Sequence, residues 1–200
     1  SVGGYNGPWW AGMIVYTPWH LYHYYGERKY IEEAYPAMKS FMDYLATQAD
    51  TDKVISWGLG DWIEVGSTSN PTRTAVPITS TCAYYLYATI LQRSAELLGN
   101  TSDAATYAAL ATEIKDGFNR RFLNASTGQV GVIADTQTAQ ILPLYLGMIP
   151  EDKKQLVLDR LVANIGERDE HVSTGFVGTI HLLLGLPDLG QAQLTHRMVM

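Results

Sequence analysis

The sequence has few of the residues that support metal, redox or nucleic-acid chemistry. Cys82 is the single cysteine among 200 residues, which excludes a disulfide within the chain. The five histidines do not pair with Cys, Asp or Glu at metal-ligand spacing, so the sequence predicts neither a metal site nor a cofactor. Lysines and arginines form no cluster and the formal net charge is −6. Nucleic acid and membrane surfaces are therefore poor candidate partners.

Long apolar runs and internal repeats are also absent. No apolar run reaches the roughly 20 residues that a membrane helix needs. No repeat of about 33 or 34 residues is present, which argues against a tetratricopeptide or ankyrin array. Strand and helix signals do not alternate, so an α/β fold is not expected. Aromatic residues are abundant instead, with 13 tyrosines and 5 tryptophans. This content is typical of carbohydrate sites, and a helical core would also explain most of it.

Apolar residues at helical spacing predict an all-α fold of eight or nine segments. We expect helices over 9–25, 27–47, 79–98, 135–146, 151–165 and 176–184, another that Thr101 or Ser102 caps, and a last one from Gln191. Apolar positions nearly encircle the first helix, which predicts that it is buried. Pro18 should kink this helix or mark a second start, Pro36 should divide the second helix, and Gly185 should end the seventh. A polar loop is expected over 67–77, and a small hairpin or loop over 124–133.

Helical hairpins joined by short turns on one side and longer loops on the other fit an α/α toroid, in which one loop end builds the site. The chain begins at Ser1 without an initiator Met and ends in an apolar run without a helix stop signal. We therefore expect a fragment cut at both ends from a longer protein.

The most unusual stretch is 56–66, which contains two indoles, two carboxylates and three glycines. The glycines make a helix costly and predict a loop or a short strand. An indole can stack on the C–H face of a sugar, and a carboxylate accepts hydrogen bonds from hydroxyl groups. The alternative is that Trp57 and Trp62 belong to the core and Asp61 caps a turn. From spacing alone, Asp61 and Glu64 could also form an acid–base pair.

Four motifs occur in a fixed order. They are Trp-Trp-Ala-Gly at 9–12, Gly-Asp-Trp at 60–62, Asp-Thr-Gln-Thr-Ala at 135–139 and Ser-Thr-Gly-Phe-Val-Gly-Thr at 173–179. In this order and at these distances, the set resembles the catalytic domain of bacterial α-L-rhamnosidases, the six-hairpin glycosidase type. The resemblance covers nearly the whole chain.

The resemblance implies that residues 1–200 are part of a single (α/α)6 barrel, incomplete at both ends. It implies inverting hydrolysis of terminal α-L-rhamnose, which uses two carboxyl groups about 6.5–9.5 Å apart. Rhamnose-containing glycosides or polysaccharides would be the substrates, and β-sandwich domains of the same chain would be partners. The family's general acid lies upstream of these motifs and its base downstream, so no catalytic residue is expected here. Residues 168–170 copy part of the acid motif, but His171 and Val172 follow them, so we interpret them as a solvated loop.

The resemblance also implies substrate contacts. Trp10 and Trp62 match the family's indoles around the rhamnose ring, and Trp9 could replace Trp10. Asp61 is the candidate acceptor for a sugar hydroxyl, and Glu64 is a further candidate substrate contact. Relatives carry an Asp two residues after the first indole, where this chain has Ala11-Gly12. Residues 136–138 are expected to cap their own helix, with an aglycone contact as the alternative.

Two other functions stay open. One is a non-catalytic helical toroid that binds carbohydrate. The other is a different α/α-barrel sugar enzyme, such as an epimerase, which would need histidines facing the barrel axis. The positions of His20, His171 and His181 therefore distinguish these hypotheses.

Overall fold

The computed structural model describes residues 7–66, 73–131 and 135–200, and within these ranges the regular structure is helical. The helices are α1 (Pro8–Ala11), α2 (Met13–Tyr25), α3 (Lys29–Gln48), α4 (Val76–Leu98), α5 (Thr101–Phe122), α6 (Gln137–Tyr145), α7 (Lys154–Gly166, after a 3-10 turn at Glu151–Lys153), α8 (Phe176–Asp188) and α9 (Ala192–Val199). Two isolated bridges, Ala49 with Ile55 and Leu123 with Val130, are the extended pairings in the described ranges. The predicted all-α fold is confirmed. None of the described helices has the length and apolar character required to cross a bilayer.

The helices pack as four hairpins in two layers. Consecutive helices pair as α2 with α3, α4 with α5, α6 with α7 and α8 with α9. In addition, α4 contacts α2 and α6, and α6 contacts α8, so the even-numbered helices from α2 onward form one continuous inner layer. This is the expected arrangement of an α/α toroid.

The connections differ at the two ends of the hairpins. The turns within hairpins are short, such as 26–28 and 99–100, whereas the segments before α4, α6 and α8 are long. Because these long segments lead into α4, α6 and α8, the N-termini of those three inner helices lie at the same end of the molecule as the long loops. Backbone N–H groups that have no partner within their helix are thus collected at that end.

Two helices of the inner layer, α4 and α6, are the most extensively buried. Every residue of α6 from Gln137 to Leu144 is buried, and α4 buries a continuous face that includes Cys82, Tyr84 and Leu91. The outer helices bury one face each, as their spacing predicts; in α3 this face is Ile31, Tyr35, Met38, Met42 and Leu45.

Two predicted helix breaks, at Pro36 and Gly185, are wrong, and Pro18 does not mark a second helix start. Helix α2 continues through Pro18, and α3 runs unbroken through Pro36. Buried side chains on both sides of Pro36 hold the two halves of α3 in place, and this packing outweighs the one backbone hydrogen bond that proline removes. Helix α8 continues past Gly185 to Asp188. Gly185 is a packing position, because a Cβ there would lie 2.9 Å from Cδ2 of Tyr145 on α6.

The predictions for the first helix and for two boundaries also need correction. The break falls at Gly12, between α1 and α2, where a Cβ would lie 2.1 Å from the ring of Tyr87. Val15 is the one buried residue of α2, so the helix is not buried; its neighbour Met13 is 51% exposed. Asn100, and not Thr101 or Ser102, caps α5 by accepting a hydrogen bond from the Asp103 N–H.

The predicted loops are only partly within the described residues. The polar loop expected over 67–77 includes 67–72, which lie outside the described residues, and α4 already begins at Val76. Of the hairpin or loop expected over 124–133, the described part is a turn closed by the bridge between Leu123 and Val130.

The segment between α3 and the 56–66 loop is attached to α5. Arg120 forms an ion pair with Asp52, and Arg121 forms ion pairs with Asp50 and Asp52, the latter at 2.7 Å. These pairs are partly exposed and contribute little stability by themselves. The backbone approach is closer: a Cβ on Gly117 of α5 would lie 1.9 Å from the carbonyl oxygen of Asp52. Helix α5 therefore requires glycine at this point.

We predict that Gly117→Ala destabilises the domain by about 1–3 kcal/mol, because the added methyl must displace a backbone carbonyl group. Gly166→Ala is the matched control. Gly166 also lies in a helix, and its Cβ would meet no atom within 4 Å, so alanine there should be neutral or stabilising by up to about 1 kcal/mol. Calorimetric melting of the complete protein measures both. Equal melting temperatures for the two variants would contradict the close approach of α5 to Asp52.

Candidate functional site

The long-loop end of the inner layer contains an apolar cavity of about 460 Å³. It lies between α1, the start of α2, the 56–66 loop and the first two turns of α8. Its lining residues are mostly aromatic or aliphatic: Trp9, Trp10, Met13, Tyr16, Trp62, Tyr87, Phe176, Val177, Ile180 and His181. A concave and mostly apolar site of this size is typical for a small ligand.

The three candidate indoles surround this one cavity. The rings of Trp10 and Trp62 meet edge to face, with centroids 6.4 Å apart and an interplanar angle of 81°. On its other side Trp62 lies 5.8 Å from the ring of Phe176. Trp9 donates its indole N–H to the carbonyl oxygen of Thr79 at 2.8 Å, which fixes it to α4. Trp62 is 49% exposed, so its face is accessible to a ligand.

Asp61, next to Trp62, lies behind the cavity and is fully buried. Its Oδ1 accepts hydrogen bonds from the N–H groups of Val177 at 2.8 Å and Gly178 at 3.0 Å. Its Oδ2 accepts from the Gly175 N–H at 2.6 Å and from the hydroxyl of Thr138. The carboxylate is therefore occupied by the protein itself. This differs from the expectation that Asp61 accepts a hydrogen bond from a sugar hydroxyl.

Asp61 acts as the N-terminal cap of α8, although it is distant in sequence. The residue at the N-cap position is Gly175, which has no side chain that could accept from the first turn. Asp61 supplies the missing acceptor, and the carbonyl oxygen of Trp62 accepts from the Phe176 N–H at 2.9 Å. A carboxylate at a helix N-terminus also interacts favourably with the helix dipole. The alternative expectation was that Asp61 caps a turn. Asp61 is indeed a capping residue, but the element that it caps is the helix α8.

The two glycines at the start of α8 allow this contact. A Cβ on Gly175 would lie 2.4 Å from the carbonyl oxygen of Trp62. A Cβ on Gly178 would lie 2.1 Å from Oγ1 of Thr138 and 2.8 Å from Oδ2 of Asp61. Any side chain at either position would separate the 56–66 loop from α8.

The start of α6 joins the other loops to this region. Thr136 caps α6 as expected, accepting from the Ala139 N–H at 3.2 Å. Gln137 instead bonds the loop before α8: its amide N–H donates to the His171 carbonyl at 2.9 Å, and its Oε1 accepts from the Ser173 N–H at 2.8 Å. The expectation that Gln137 and Thr138 cap their own helix is wrong, because both lie inside the buried first turn and face neighbouring loops.

Glu64 is also buried, at 3% exposure, and links two loops. Its carboxylate accepts from the Thr74 N–H at 2.7 Å and from the Thr74 hydroxyl at 2.9 Å, and that hydroxyl lies 2.6 Å from Oγ1 of Thr136. Burial raises the pKa of Glu64, while the hydrogen bonds from Thr74 oppose this effect. Glu64 does not line the cavity.

The three histidines have different surroundings. His181 lines the cavity, between the rings of Trp9 at 5.2 Å and Tyr145 at 5.3 Å. His20 lies on α2 against Tyr16, and His171 is exposed in the loop before α8. Neither of these two lines the cavity. No group of three potential metal ligands among His, Cys, Asp and Glu occurs in the described parts of the chain.

Phe176, Ile180 and His181 also line the cavity, although no substrate contact was predicted for them. Phe176 belongs to the Ser-Thr-Gly-Phe-Val-Gly-Thr motif, and the spacing of four from Phe176 to Ile180 and from Val177 to His181 puts each pair on one side of α8. This spacing could have identified them. Residues 168–170 form a turn as expected, and Glu170 pairs with Arg197 on α9, away from the cavity.

Paired helices in two layers, with an aromatic cavity at the loop end, define the class of α/α-hairpin toroids. The bacterial alpha-L-rhamnosidase 6 hairpin glycosidase domain matches residues 2–200. The chain therefore belongs to this family, as the motifs predicted.

Known relatives agree with this assignment. The chain is 34% identical over 190 residues to an α-L-rhamnosidase of Streptomyces avermitilis and 27% identical over 199 residues to one of an Alteromonas species. Each match covers 95% of this chain but only 18% and 21% of those proteins. The chain thus spans roughly a fifth of the length of these relatives.

Two solved structures have a similar fold. The α-L-rhamnosidase of Streptomyces avermitilis complexed with L-rhamnose matches with a TM-score of 0.84 at 34% identity, covering 94% of this chain and 17% of that one. The α-L-rhamnosidase from Dictyoglumus thermophilum matches with a TM-score of 0.88 at 34% identity, covering 96% and 22%.

We predict that Asp61→Asn destabilises the domain by about 2–4 kcal/mol, because the amide can present its NH2 group to N–H donors and weakens the bonds to the start of α8. Asp159→Asn removes the same charge from an exposed side chain on α7 and is the control. Melting temperature and hydrogen exchange of the amides at 175–178 in the complete protein measure the effect. Unchanged exchange at these amides would show that Asp61 does not cap α8.

We predict a pH-dependent effect of Glu64→Gln. The raised pKa means that the folded state holds this proton more tightly than the unfolded state. Glu64 therefore contributes most stability below the ordinary carboxyl pKa and loses that contribution as the pH rises through its raised folded pKa. The melting temperature of Glu64→Gln relative to wild type should rise over this window and then level off. Glu33→Gln, at an exposed position on α3, controls for the lost charge. A relative melting temperature that falls with pH would contradict the assignment.

Proposed function

We propose that this chain is the central part of the catalytic domain of an inverting α-L-rhamnosidase and that its cavity binds the terminal rhamnose. The observation that carries the proposal is the cavity at the loop end, around which Trp10, Trp62 and Phe176 lie in edge-to-face and tilted contact. Family membership and the similarity to an α-L-rhamnosidase complexed with L-rhamnose support it.

The cavity suits a 6-deoxy sugar. Rhamnose carries a C6 methyl group in place of a hydroxymethyl group, and aromatic and aliphatic walls favour such an apolar substituent. The exposed face of Trp62 can stack on the C–H groups of the sugar ring. Trp10 can form the adjacent wall, and Trp9 can support it from α4. Both N-terminal indoles thus contribute, in different ways.

Asp61 and Glu64 act by positioning in this proposal. Both carboxylates are buried and accept hydrogen bonds from the protein, and neither lines the cavity. Asp61 holds the loop of Trp62 on α8, and Glu64 holds the same loop on residue 74. In this proposal, neither residue makes the direct sugar contact that was expected for it. The two carboxylates also do not form an acid–base pair.

The general acid and base come from the remainder of the protein. Inversion requires two carboxyl groups on opposite sides of the scissile bond. Among the described residues, no carboxylate lines the cavity. The relatives are about five times longer than this chain, so there is ample sequence for the acid, the base and the β-sandwich domains that the family resemblance implies.

The alternatives are less well supported. An epimerase needs histidines around the barrel axis, and His181 alone of the three candidates lines the cavity. A non-catalytic carbohydrate-binding toroid would share the cavity, but its complete protein would not hydrolyse rhamnosides. Hydrolysis of an aryl α-L-rhamnoside by the complete protein, with the anomer of the released sugar assigned by NMR, therefore tests both the reaction and its inverting stereochemistry.

We predict that Trp62→Ala in the complete protein lowers kcat/KM for an aryl α-L-rhamnoside by about 5- to 30-fold, which corresponds to the loss of about 1–2 kcal/mol of stacking. Trp57→Ala is the matched control. Trp57 lies in the same loop, but its ring faces Tyr44 of α3 at 6.1 Å and does not line the cavity. Equal kcat/KM values for Trp62→Ala and wild type would contradict the proposed stacking of Trp62 on the sugar.

A further inference from the structure

His181 is a polar side chain in the wall of an otherwise mostly apolar cavity. It projects from the second turn of α8, is 8% exposed, and its ring meets those of Trp9 and Tyr145 near edge to face. These two edge-to-face contacts fix the plane of the imidazole. These contacts need an aromatic ring but not its nitrogens, so they do not by themselves require a histidine.

The hydrogen bond of one ring nitrogen determines the tautomer. Nδ1 of His181 lies 2.7 Å from the carbonyl oxygen of Val177. A carbonyl oxygen can only accept, so Nδ1 carries the proton and donates it. Burial lowers the pKa of His181, which favours the neutral ring. In that form Nε2 has no proton and is a hydrogen-bond acceptor.

Nε2 has no partner within the described residues. The bond from Nδ1 to Val177 is the hydrogen bond that His181 forms there, and Nε2 is not enclosed as a buried, unpaired atom. The ring therefore presents a free acceptor at the cavity, where a ligand group can reach it. A bound sugar that displaces water from this acceptor leaves it unpaired unless one of the sugar's own hydroxyl groups donates to it, and an unpaired acceptor is costly.

The other polar atoms of the cavity wall differ in kind from this acceptor. The hydroxyl of Tyr87 already donates to the Pro8 carbonyl at 3.0 Å. The indole N–H of Trp9 donates to Thr79. The indole N–H groups of Trp10 and Trp62 only donate, the Tyr16 hydroxyl can donate or accept, the Met13 sulfur is a weak acceptor, and the remaining lining side chains are hydrocarbon. His181 Nε2 is thus the nitrogen acceptor of this wall.

We propose that Nε2 of His181 accepts a hydrogen bond from one hydroxyl group of the bound deoxyhexose and thereby selects for that hydroxyl. His181 is a specificity-determining residue in this proposal and takes no part in proton transfer. The inference rests on the proposed function, because it assumes that the cavity binds the sugar. A site built to bond a hydroxyl group rejects the analogue that lacks it, since its own acceptor is then left unpaired.

The test measures inhibition of the complete protein by L-rhamnose and by its 2-, 3- and 4-deoxy analogues, with an aryl α-L-rhamnoside as substrate. In the wild type, one analogue should inhibit about 3- to 10-fold more weakly than L-rhamnose because it lacks the hydroxyl that His181 binds. In His181→Phe, which keeps an aromatic ring at this position, inhibition by L-rhamnose should weaken by a similar factor. The discrimination against that analogue should disappear.

A pair of amide variants separates this role from a structural one. In His181→Gln the side-chain oxygen can reach the position of Nε2, so discrimination should return at least in part. In His181→Asn the shorter amide reaches only the position of Nδ1, so discrimination should stay lost. His23→Phe, at an exposed histidine of α2 outside the cavity, controls for loss of an imidazole. Melting temperatures of all variants show whether each one folds. If His181→Phe does not fold, the comparison between His181→Gln and His181→Asn still tests the proposal.

Each outcome has one meaning. Suppose that the wild type is active and that His181→Phe discriminates against every deoxy analogue as strongly as the wild type does. His181 then does not bind a hydroxyl group, and the proposed function still holds. If inhibition by L-rhamnose and by all its analogues weakens by the same factor in every His181 variant, the role of His181 is structural. If the wild-type protein neither hydrolyses the rhamnoside nor binds L-rhamnose, the proposed function itself is wrong and this inference falls with it.

Discussion

The contact between the Asp61 carboxylate and the N-terminus of α8 determines the geometry of the site. Three backbone N–H groups and one hydroxyl converge on this buried side chain. Without it, the first turn of α8 would have buried donors and no acceptor, because its own cap residue is Gly175. Unsatisfied buried donors are costly, so the loop and the helix are held together strongly. Trp62 and Phe176, which follow directly in each segment, are brought into contact as a consequence.

The neighbouring loops are held by the same kind of interaction. Glu64, Thr74 and Thr136 form a buried chain of hydrogen bonds that ties the 56–66 loop to the start of α6. Gln137 ties α6 to the loop before α8. Each tie lies where an inner helix begins, since these helix ends have N–H groups and capping side chains to share. Buried, fully paired polar networks favour one arrangement of the loops, and an aromatic cavity on such loops is preorganised.

Much of the fold followed from the sequence, because helical spacing and short turns are local signals. The three candidate indoles were also identifiable. The role of Asp61 was not, because the four groups that donate to it lie 77 to 117 residues further along the chain. Spacing carries no information about such partners. The exposure of α2 was mispredicted for a related reason: apolar residues around a helix indicate burial only when other helices cover every side, and in the described parts of the chain α2 packs chiefly on α3 and α4.

The sequence order of Asp61 and Trp62 has a physical basis. One is fully buried and the other is half exposed, although they are neighbours in the chain. An exposed indole has little packing of its own to hold it in one orientation. The buried carboxylate beside it fixes the backbone on one side, and the bond from the Phe176 N–H to the Trp62 carbonyl fixes it on the other. The Gly-Asp-Trp and Thr-Gly-Phe-Val-Gly motifs are therefore two halves of one structural unit: the aspartate and the two glycines position the backbone, and the tryptophan and phenylalanine form part of the cavity wall.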